Sequence, residues 1–259
     1  MENPKISLWI TSTGRYEFLK ISLDSLLEKC KYPNLEILVF ESVPTEESRK
    51  YFDTPLIKTD ACIEYVKSLK ENGAPITHWV EPWIPWGNVL QRMLMYTDAP
   101  YSITIDDDCL CACDPTAQWL DEIEIIKDNP SLLGFRNDLS NPSVDTSDKR
   151  FTGVKAHPIS NYLFWPRSGG AVLYDNAKLK SNPLGGYITD HALPAYNIVE
   201  QQMDAIMRRD NTYIGVMLKY YGSFVHIGHT EVTGRDRKWS SDLYLDMYSN
   251  GYYGLRNKE

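Results

Sequence analysis

The stretch Tyr101-Ser-Ile-Thr-Ile-Asp106-Asp107-Asp108 has the pattern of a short buried strand that ends in three carboxylates. The β-branched residues in its middle favour an extended backbone. Three unpaired charges cannot be buried in an apolar core, because the cost of desolvating each one is prohibitive. We therefore expect the aspartates to face a crevice, where carboxylates and diphosphate oxygens together could bind Mg²⁺ or Mn²⁺. An acidic turn on the protein surface is the alternative interpretation.

The residues before this stretch alternate between strand-like and helix-like patterns. Strand patterns cover residues 5–12, 35–41, 76–80 and 101–105, and helical spacing of apolar residues covers 16–30, 46–52, 57–71 and 88–96. Such alternation predicts a parallel sheet with helices on both faces. In sheets of this kind, ligands bind beyond the carboxyl ends of the strands, which is where the three aspartates are expected.

The remainder of the chain is less regular. Helical patterns cover residues 115–128, 175–179 and 196–209, and strand patterns cover 132–135, 169–174, 213–217 and 223–227. Residues 136–160 are polar and rich in Asp, Asn, Ser and Pro, which predicts a long loop. Neither an internal repeat nor a linker divides the sequence, so we expect a single domain.

Composition limits the class of protein. A net charge of −8 and a pI of about 5.2 disfavour a general polyanion-binding protein, which needs clustered Lys and Arg. The five cysteines are an odd number, which favours reduced thiols over a secreted disulfide framework. Residues 1–5 lack the apolar core of a signal peptide, and no run of about 20 apolar residues could span a bilayer. We therefore expect a cytoplasmic protein without a membrane span.

Several short motifs follow one another along the chain. They are the strand, turn and helix from Trp9 to Leu27, which contain Thr11 and Arg15; Glu41 at the end of the second strand; Trp86-Gly-Asn88 before a helix; Asp106-Asp107-Asp108; Gly169-Gly170 in a strand; Glu200, nine residues before Arg209; and the late His226 and His229. In their order and spacing, these motifs resemble those of GT-A-fold glycosyltransferases, nearest to the family-2-like group that uses nucleotide-diphosphate sugars.

The resemblance covers roughly residues 5–230. It implies an α/β fold of the GT-A (Rossmann-like) type, in which helices flank a mostly parallel central sheet and the acceptor-side C-terminal half is less regular. Residues 1–259 would form one GT-A-like domain. Within it, residues 1–110 would bind the nucleotide sugar, residues 111–230 would form the acceptor half, and residues 231–259 would be a tail that could close over the donor.

The resemblance also implies a site for the donor and for a divalent metal ion. Asp108 would be the principal ligand of Mn²⁺ or Mg²⁺, Asp106 would bind the ribose or the metal, and either His226 or His229 would complete the metal site. The nucleotide and its phosphates would be contacted by Thr11, Arg15, Glu41, Asn88, Asp106 and Asp107, and by Arg235 and Lys238 of the tail. The alternative interpretations are simpler. Arg15 could be a solvated residue, His226 could be a strand histidine whose hydrogen bonds are made within the protein, and the basic residues of the tail could be ordinary exposed charges.

On the acceptor side, the resemblance implies a carboxylate base at the start of a helix. That helix usually starts with Glu-Asp, whereas this chain has Glu200-Gln201, so Glu200, Asp190 and Asp204 are all candidates. We favour Glu200, with Asp190 second. An isolated carboxylate that deprotonates the acceptor hydroxyl in line with the sugar's C1 gives inversion of configuration.

Aromatic residues and glycines complete the predicted substrate site. The stretch from Trp79 to Trp86 contains three tryptophans, counting both ends, and two prolines. Aromatic faces stack on sugars or on bases. We expect at least one of Trp83 and Trp86 to line the crevice, although core packing would account for any one of the three. Gly169 and Gly170 would lie on the acceptor side.

The leading hypothesis is a metal-dependent glycosyltransferase, a hexosyl- or pentosyltransferase, that uses a nucleotide-sugar donor, with a UDP-sugar favoured. The favoured acceptor is a glycan. A protein or a modified DNA base is an alternative, and DNA would require a basic strip such as Lys149, Arg150, Lys155 and Arg167. A nucleotidyltransferase is disfavoured because Gly14 is the only glycine before Gly73. A non-catalytic sugar-nucleotide- or glycan-binding protein is the third possibility.

Overall fold

A computed structural model shows a large β-sheet that is covered by helices. It describes residues 3–46, 48, 57–84, 86–137, 155–156, 162–165, 171–183, 203, 205–217, 220 and 223–226. The strands are β1 (Ile6–Ser12), β2 (Leu35–Val43), β3 (Ile76–Pro82), β4 (Tyr101–Asp106), β5 (Cys109–Cys111), β6 (Leu132–Arg136), β7 (Lys155–Ala156), β8 (Tyr162–Trp165), β9 (Val172–Asp175), β10 (Tyr213–Met217) and β11 (Phe224–His226). The helices are α1 (Tyr16–Lys29), α2 (Thr59–Glu71), α3 (Trp86–Tyr96), α4 (Thr116–Asp128) and α5 (Asn176–Ser181).

The first four of these strands form the parallel part of the sheet, in the spatial order β3-β2-β1-β4. Strand β1 is central, with Ile10 opposite Val39 of β2 on one side and Ile105 of β4 on the other. Because the strands are parallel, their carboxyl ends meet at one edge of the sheet. The α/β fold that the sequence predicts is therefore confirmed.

Beyond β4 the sheet continues in the order β9-β6-β10-β8-β7. Strand β9 is antiparallel to both β4 and β6, whereas β10 is parallel to β6 and antiparallel to β8. The predicted polar loop at 136–160 is wrong at residues 155–156, because they pair with β8 as strand β7. Strand β8 itself was not predicted from the sequence, and most of the predicted helix at 46–52 lies outside the described residues.

A second, small sheet consists of β5 and β11. The two strands are antiparallel, and Cys109 lies opposite His226. The sequence did not predict β5, since it has only three residues and follows the aspartates directly. Its pairing brings the end of β11 to the segment that follows Asp108.

Side chains pack on both faces of the large sheet. Alternation along β1 places Leu8 and Ile10 in one apolar cluster and Trp9 in the other. Helices α1, α2 and α4 cover the first face with residues such as Leu23, Val66 and Ile123, and α3 covers the second with residues such as Leu90 and Met93. Each buried side chain of this size contributes about 1.5–3 kcal/mol through the hydrophobic effect. No helix in the described part of the chain is long and apolar enough to cross a bilayer.

Candidate active site

The carboxyl ends of β1, β2 and β4 bring the predicted site residues to one edge of the sheet. Thr11 lies opposite Asp106, and Ser12 lies opposite Glu41. The Thr11 hydroxyl donates a hydrogen bond of 3.3 Å to Asp106 Oδ1, and the Asp107 N–H donates to the Thr11 carbonyl at 3.1 Å. Strand pairing therefore fixes the starting point of the aspartate run.

Arg15 binds two of the three aspartates. Its guanidinium forms an ion pair with Asp107, and its Nη1 lies 3.1 Å from Asp108 Oδ2. The Arg15 side chain is only 13% exposed, so it is not a solvated helix residue. Burial by itself lowers the pKa of Arg15, but the charges of Asp107, Asp108 and Asp106 outweigh that effect and raise the pKa. Arg15 therefore stays charged and keeps the aspartates in place.

Asp107 is the least exposed of the three aspartates. Its side chain is 1% exposed, and one of its oxygens accepts a hydrogen bond of 3.4 Å from the Thr13 N–H in addition to the ion pair with Arg15. Burial raises the pKa of Asp107 above its ordinary value, and the charge of Arg15 opposes this rise. Asp107 thus serves to hold the turn that carries Arg15, and its predicted contact with the donor stays a prediction.

The turn that carries Arg15 depends on Gly14, whose φ is +84°. The Gly14 carbonyl accepts hydrogen bonds from the N–H groups of Tyr16 and Lys58, at 3.0 and 2.6 Å. A Cβ at this position would lie 2.7 Å from Thr59 Oγ1. Glycine is therefore required both by the backbone conformation and by the close approach of α2.

Glu41 is completely buried at the end of β2. Neither of its carboxylate oxygens has a hydrogen-bond partner of acceptable geometry within the described segments. Burial raises the pKa of Glu41 to about 7, and the nearby Ser12 hydroxyl and Gly14 N–H only partly oppose this rise. A buried hydrogen-bond acceptor without a partner destabilises the folded protein unless a ligand donates a hydrogen bond to it.

The segment after β3 contributes Trp83 and Asn88. The Trp83 N–H donates to the Val43 carbonyl at 2.8 Å, which ties this segment to the end of β2. Trp83 is half-buried. Asn88 lies in the first turn of α3, and its buried amide oxygen has no partner among the residues that the structure describes. Trp86 begins α3, and its predicted contact with the substrate stays a prediction.

The backbone of His226 lies beside the aspartate run. It is the last residue of β11 and pairs with Cys109, which follows Asp108 directly. Asp106 and Asp108 are half-buried, and carboxylates of this kind together with an imidazole suit Mn²⁺. The placement of these backbones is compatible with the predicted metal site. No cluster of three or more potential ligand side chains is found within the described ranges, which do not include the His226 side chain.

Other predicted site residues lie outside the described residues and stay predictions. They are Glu200, Asp190, Asp204, His229, Gly169, Gly170, Arg235 and Lys238, together with Lys149, Arg150 and Arg167 of the basic strip; Lys155 is described only as part of β7.

Two partners of the predicted residues, Ser12 and Thr13, were not singled out from the sequence. Their signal was the turn Thr13-Gly14-Arg15, since residues beside such a turn supply hydrogen-bonding groups.

Comparison with solved structures identifies the fold. The chain has a GT-A fold. It is similar to the mannosyltransferase PcManGT from Pyrobaculum calidifontis in complex with GDP-Man and Mn²⁺, with a TM-score of 0.54, 14% identity and coverage of 85% of this chain and 58% of that one. TarS from S. aureus gives a TM-score of 0.52 and 14% identity, covering 85% and 60% of the two chains. GalNAc-T7 with UDP, GalNAc and Mn²⁺ gives 0.57 and 11%, covering 96% and 50%.

The GT-A fold covers most of this chain but only part of the similar structures, since the chain matches 50–60% of their lengths. No protein-family model and no curated protein matches the sequence. The likeness at 11–14% identity concerns the path of the backbone. It agrees with the resemblance that the motifs predict.

Proposed function

We propose that this protein is a metal-dependent glycosyltransferase that moves a sugar from a nucleoside-diphosphate donor to an acceptor hydroxyl. The observation that carries the proposal is the convergence of Thr11, Glu41, Arg15 and Asp106–Asp108 at the carboxyl edge of the parallel strands. In a GT-A fold, this edge lies where open α/β sheets bind their ligands. The carboxylates, the arginine and the buried acceptors together have the chemistry that a nucleoside diphosphate requires.

The donor nucleotide would be recognised by two buried groups that have no hydrogen-bond partner of acceptable geometry among the described residues. The Glu41 carboxyl and the Asn88 amide oxygen can accept hydrogen bonds from ribose hydroxyls or from a base N–H. Uracil offers an imide N–H that could donate to either acceptor, and a UDP-sugar remains the favoured donor. Arg15 would keep Asp108 in position and add a positive charge beside the diphosphate.

The residues present fit a divalent cation. Asp108 and Asp106, with one of His226 and His229, would hold Mn²⁺ or Mg²⁺, which when bound would act as a Lewis acid toward the leaving diphosphate. Asp107 would not share this role, because its side chain is only 1% exposed, against 13% for Asp108. Asp106 in turn is oriented by the hydroxyl of Thr11.

The acceptor would be bound and activated by residues from the second half of the chain. A carboxylate at Glu200, with Asp190 or Asp204 as alternatives, would take the proton of the acceptor hydroxyl as it attacks C1, which gives inversion. Gly169–Gly170 and Trp83 would line the acceptor's path, and the tail with Arg235 and Lys238 would close over the donor. A glycan is the favoured acceptor, and a protein or a DNA base is the alternative.

Binding of UDP, GDP and CDP, each with and without Mn²⁺, tests this proposal by calorimetry. We expect one nucleotide to bind in a Mn²⁺-dependent manner, and Asp108→Ala to weaken this binding by more than the roughly 10- to 100-fold that the loss of an outer-shell partner causes. Asp128→Ala is the matched control, because Asp128 is an exposed carboxylate at the end of α4. Equal binding by wild type and Asp108→Ala would contradict the proposed metal site.

Catalysis is tested separately from binding. We expect the bound nucleotide's sugar conjugate to be hydrolysed slowly in the presence of Mn²⁺, and this release of sugar to be lost in Asp108→Ala. Mn²⁺-dependent nucleotide binding without release or transfer of sugar would favour the non-catalytic sugar-nucleotide-binding alternative. Release of pyrophosphate from a nucleoside triphosphate would instead favour a nucleotidyltransferase.

A further inference from the structure

A buried polar network begins at Asn137, directly after β6. Asn137 is completely buried, and all of its hydrogen-bonding groups are used. Its N–H donates to the Ala171 carbonyl at 2.7 Å, and its carbonyl accepts from the N–H groups of Ser223 and Phe224, at 2.8 and 3.1 Å. Asn137 therefore joins the end of β6 to the beginnings of β9 and β11.

The orientation of the Asn137 amide follows from the chemistry of its partners. Trp119 Nε1 can only donate, and it lies 2.6 Å from Asn137 Oδ1. The amide nitrogen must then face Glu122, whose two carboxylate oxygens lie 3.1 and 3.0 Å from Asn137 Nδ2. Helix α4 thus holds the Asn137 side chain in a single orientation.

The same helix reaches β11 by a second route. Gln118 Nε2 donates to Glu122 Oε1 at 2.7 Å, and the Ser223 hydroxyl donates to Gln118 Oε1 at 2.6 Å. The Trp119 and Phe224 rings stack with their centroids 6.4 Å apart. The start of β11 is therefore bound to α4 by a hydroxyl group and by an aromatic ring, and its backbone is bound to Asn137, whose side chain α4 holds.

Strand β11 is then fixed relative to the aspartate run. The Ala112 N–H donates to the Ser223 carbonyl at 2.8 Å, and β11 pairs with β5 so that Cys109 faces His226. Strand β5 follows Asp108 without an intervening residue. A shift of Ser223 would therefore be transmitted along three residues to His226, and it would change the separation between His226 and Asp108.

We propose that Asn137, Gln118, Glu122 and Ser223 are positioning residues that hold β11, and with it the backbone of His226, beside the segment that follows Asp108, where a divalent cation would bind. This inference rests on the proposed function. A network whose only role was stability would gain little over an apolar core, because buried polar groups must first be desolvated. This network instead converges on Ser223, the residue directly before the short strand that ends in His226. None of its four members would touch the metal or the substrate.

Ser223→Ala and Asn137→Ala test the inference, with Ser102→Ala as the matched control. Ser102 is also completely buried and bonded to a side-chain amide, Asn176 Nδ2 at 2.7 Å, but it lies near the start of β4, away from Asn137 and Ser223 in the network. Mn²⁺ affinity is measured by electron paramagnetic resonance in the presence of the nucleotide that binds wild type. Hydrogen exchange of the β11 amides is measured in the same variants.

We expect Ser223→Ala to bind Mn²⁺ roughly tenfold more weakly than wild type, and its β11 amides to exchange faster, while Ser102→Ala matches wild type in both measurements. Asn137→Ala should have a larger effect, and Ser223→Ala decides the question if Asn137→Ala does not fold. Mn²⁺ binding by Ser223→Ala within twofold of Ser102→Ala would overturn the inference and leave the proposed function standing. Absence of Mn²⁺ binding in wild type would overturn both.

Discussion

Glu41 shows how a single buried carboxyl group can lower the stability of a fold at neutral pH. Its carboxyl group is completely buried and has no hydrogen-bond partner in the described part of the chain. Its pKa rises from an ordinary 4.5 to about 7, so the folded protein binds a proton more tightly than the unfolded chain does. Stability is therefore greatest below pH 4.5 with respect to this group, and it falls as the pH rises from 4.5 to 7.

We predict that Glu41→Gln stabilises the protein at pH 8 but not at pH 4.5. The neutral amide removes the cost of a buried charge, which amounts to about 3 kcal/mol for the shift described. Urea denaturation of both proteins across this pH range measures the difference. The same variant should bind the nucleotide more weakly if Glu41 contacts the donor. A constant difference in unfolding free energy at all pH values would contradict the assignment of the raised pKa to Glu41.

At the scale of elements, the turn between β1 and α1 depends on two properties of Gly14 that can be separated. Gly14 and Gly73 both have positive φ angles, +84° and +89°. A Cβ at Gly73 would meet no atom within 4 Å, whereas one at Gly14 would meet the side chain and backbone of Thr59. Substitution of Gly73 by alanine would therefore introduce backbone strain alone, whereas substitution of Gly14 would introduce backbone strain together with steric overlap.

We predict that Gly73→Ala costs about 1–2 kcal/mol of stability and that Gly14→Ala costs roughly 1–3 kcal/mol more. The additional cost arises because α2 must move away from the turn. This movement should also displace Arg15 from Asp108 and so weaken Mn²⁺ binding in Gly14→Ala alone. Urea denaturation and metal titration measure the two effects, and equal costs at both glycines would exclude the steric contribution.

Helices and strands could be predicted where the pattern of apolar residues lies within one short stretch of sequence. The alternating apolar residues of β1 and the helical spacing of α1 gave bounds within one residue of those observed. Strand β5 was missed because three residues carry too little pattern, and its existence depends on pairing with β11, more than 100 residues later. Likewise, the sequence indicated that Asp106–Asp108 meet at a strand end, but it could not show that Arg15 binds Asp107 and Asp108, since that contact depends on tertiary structure.

At the scale of the molecule, the two halves of the chain share one sheet. Strand β9, from the second half, lies between β4 and β6 and pairs with both. The apolar clusters on both faces also contain residues from both halves, such as Ile10 with Phe135 and Trp9 with Met207. Neither half could unfold without exposing the apolar surface of the other.

We predict that the chain unfolds in a single cooperative transition, as expected for one domain over residues 1–259. Far-UV circular dichroism and tryptophan fluorescence, recorded during urea denaturation, should give coincident curves. Reversibility of the transition is the control, because aggregation of an unfolded intermediate would distort either curve. Two separate midpoints would show that the N-terminal and C-terminal halves of the chain are independent folding units.

The strand order has a consequence for the time at which the site is completed during biosynthesis. Strand β1 leaves the ribosome well before its neighbour β4, which begins at residue 101, and the partner of β5 begins only at residue 224. A nascent chain that ends before residue 101 therefore carries one side of β1 unpaired, with its apolar residues available to chaperones. The pairing of β5 with β11 can form only after residue 226 has been synthesised, so products that end before this residue should accumulate as aggregation-prone species.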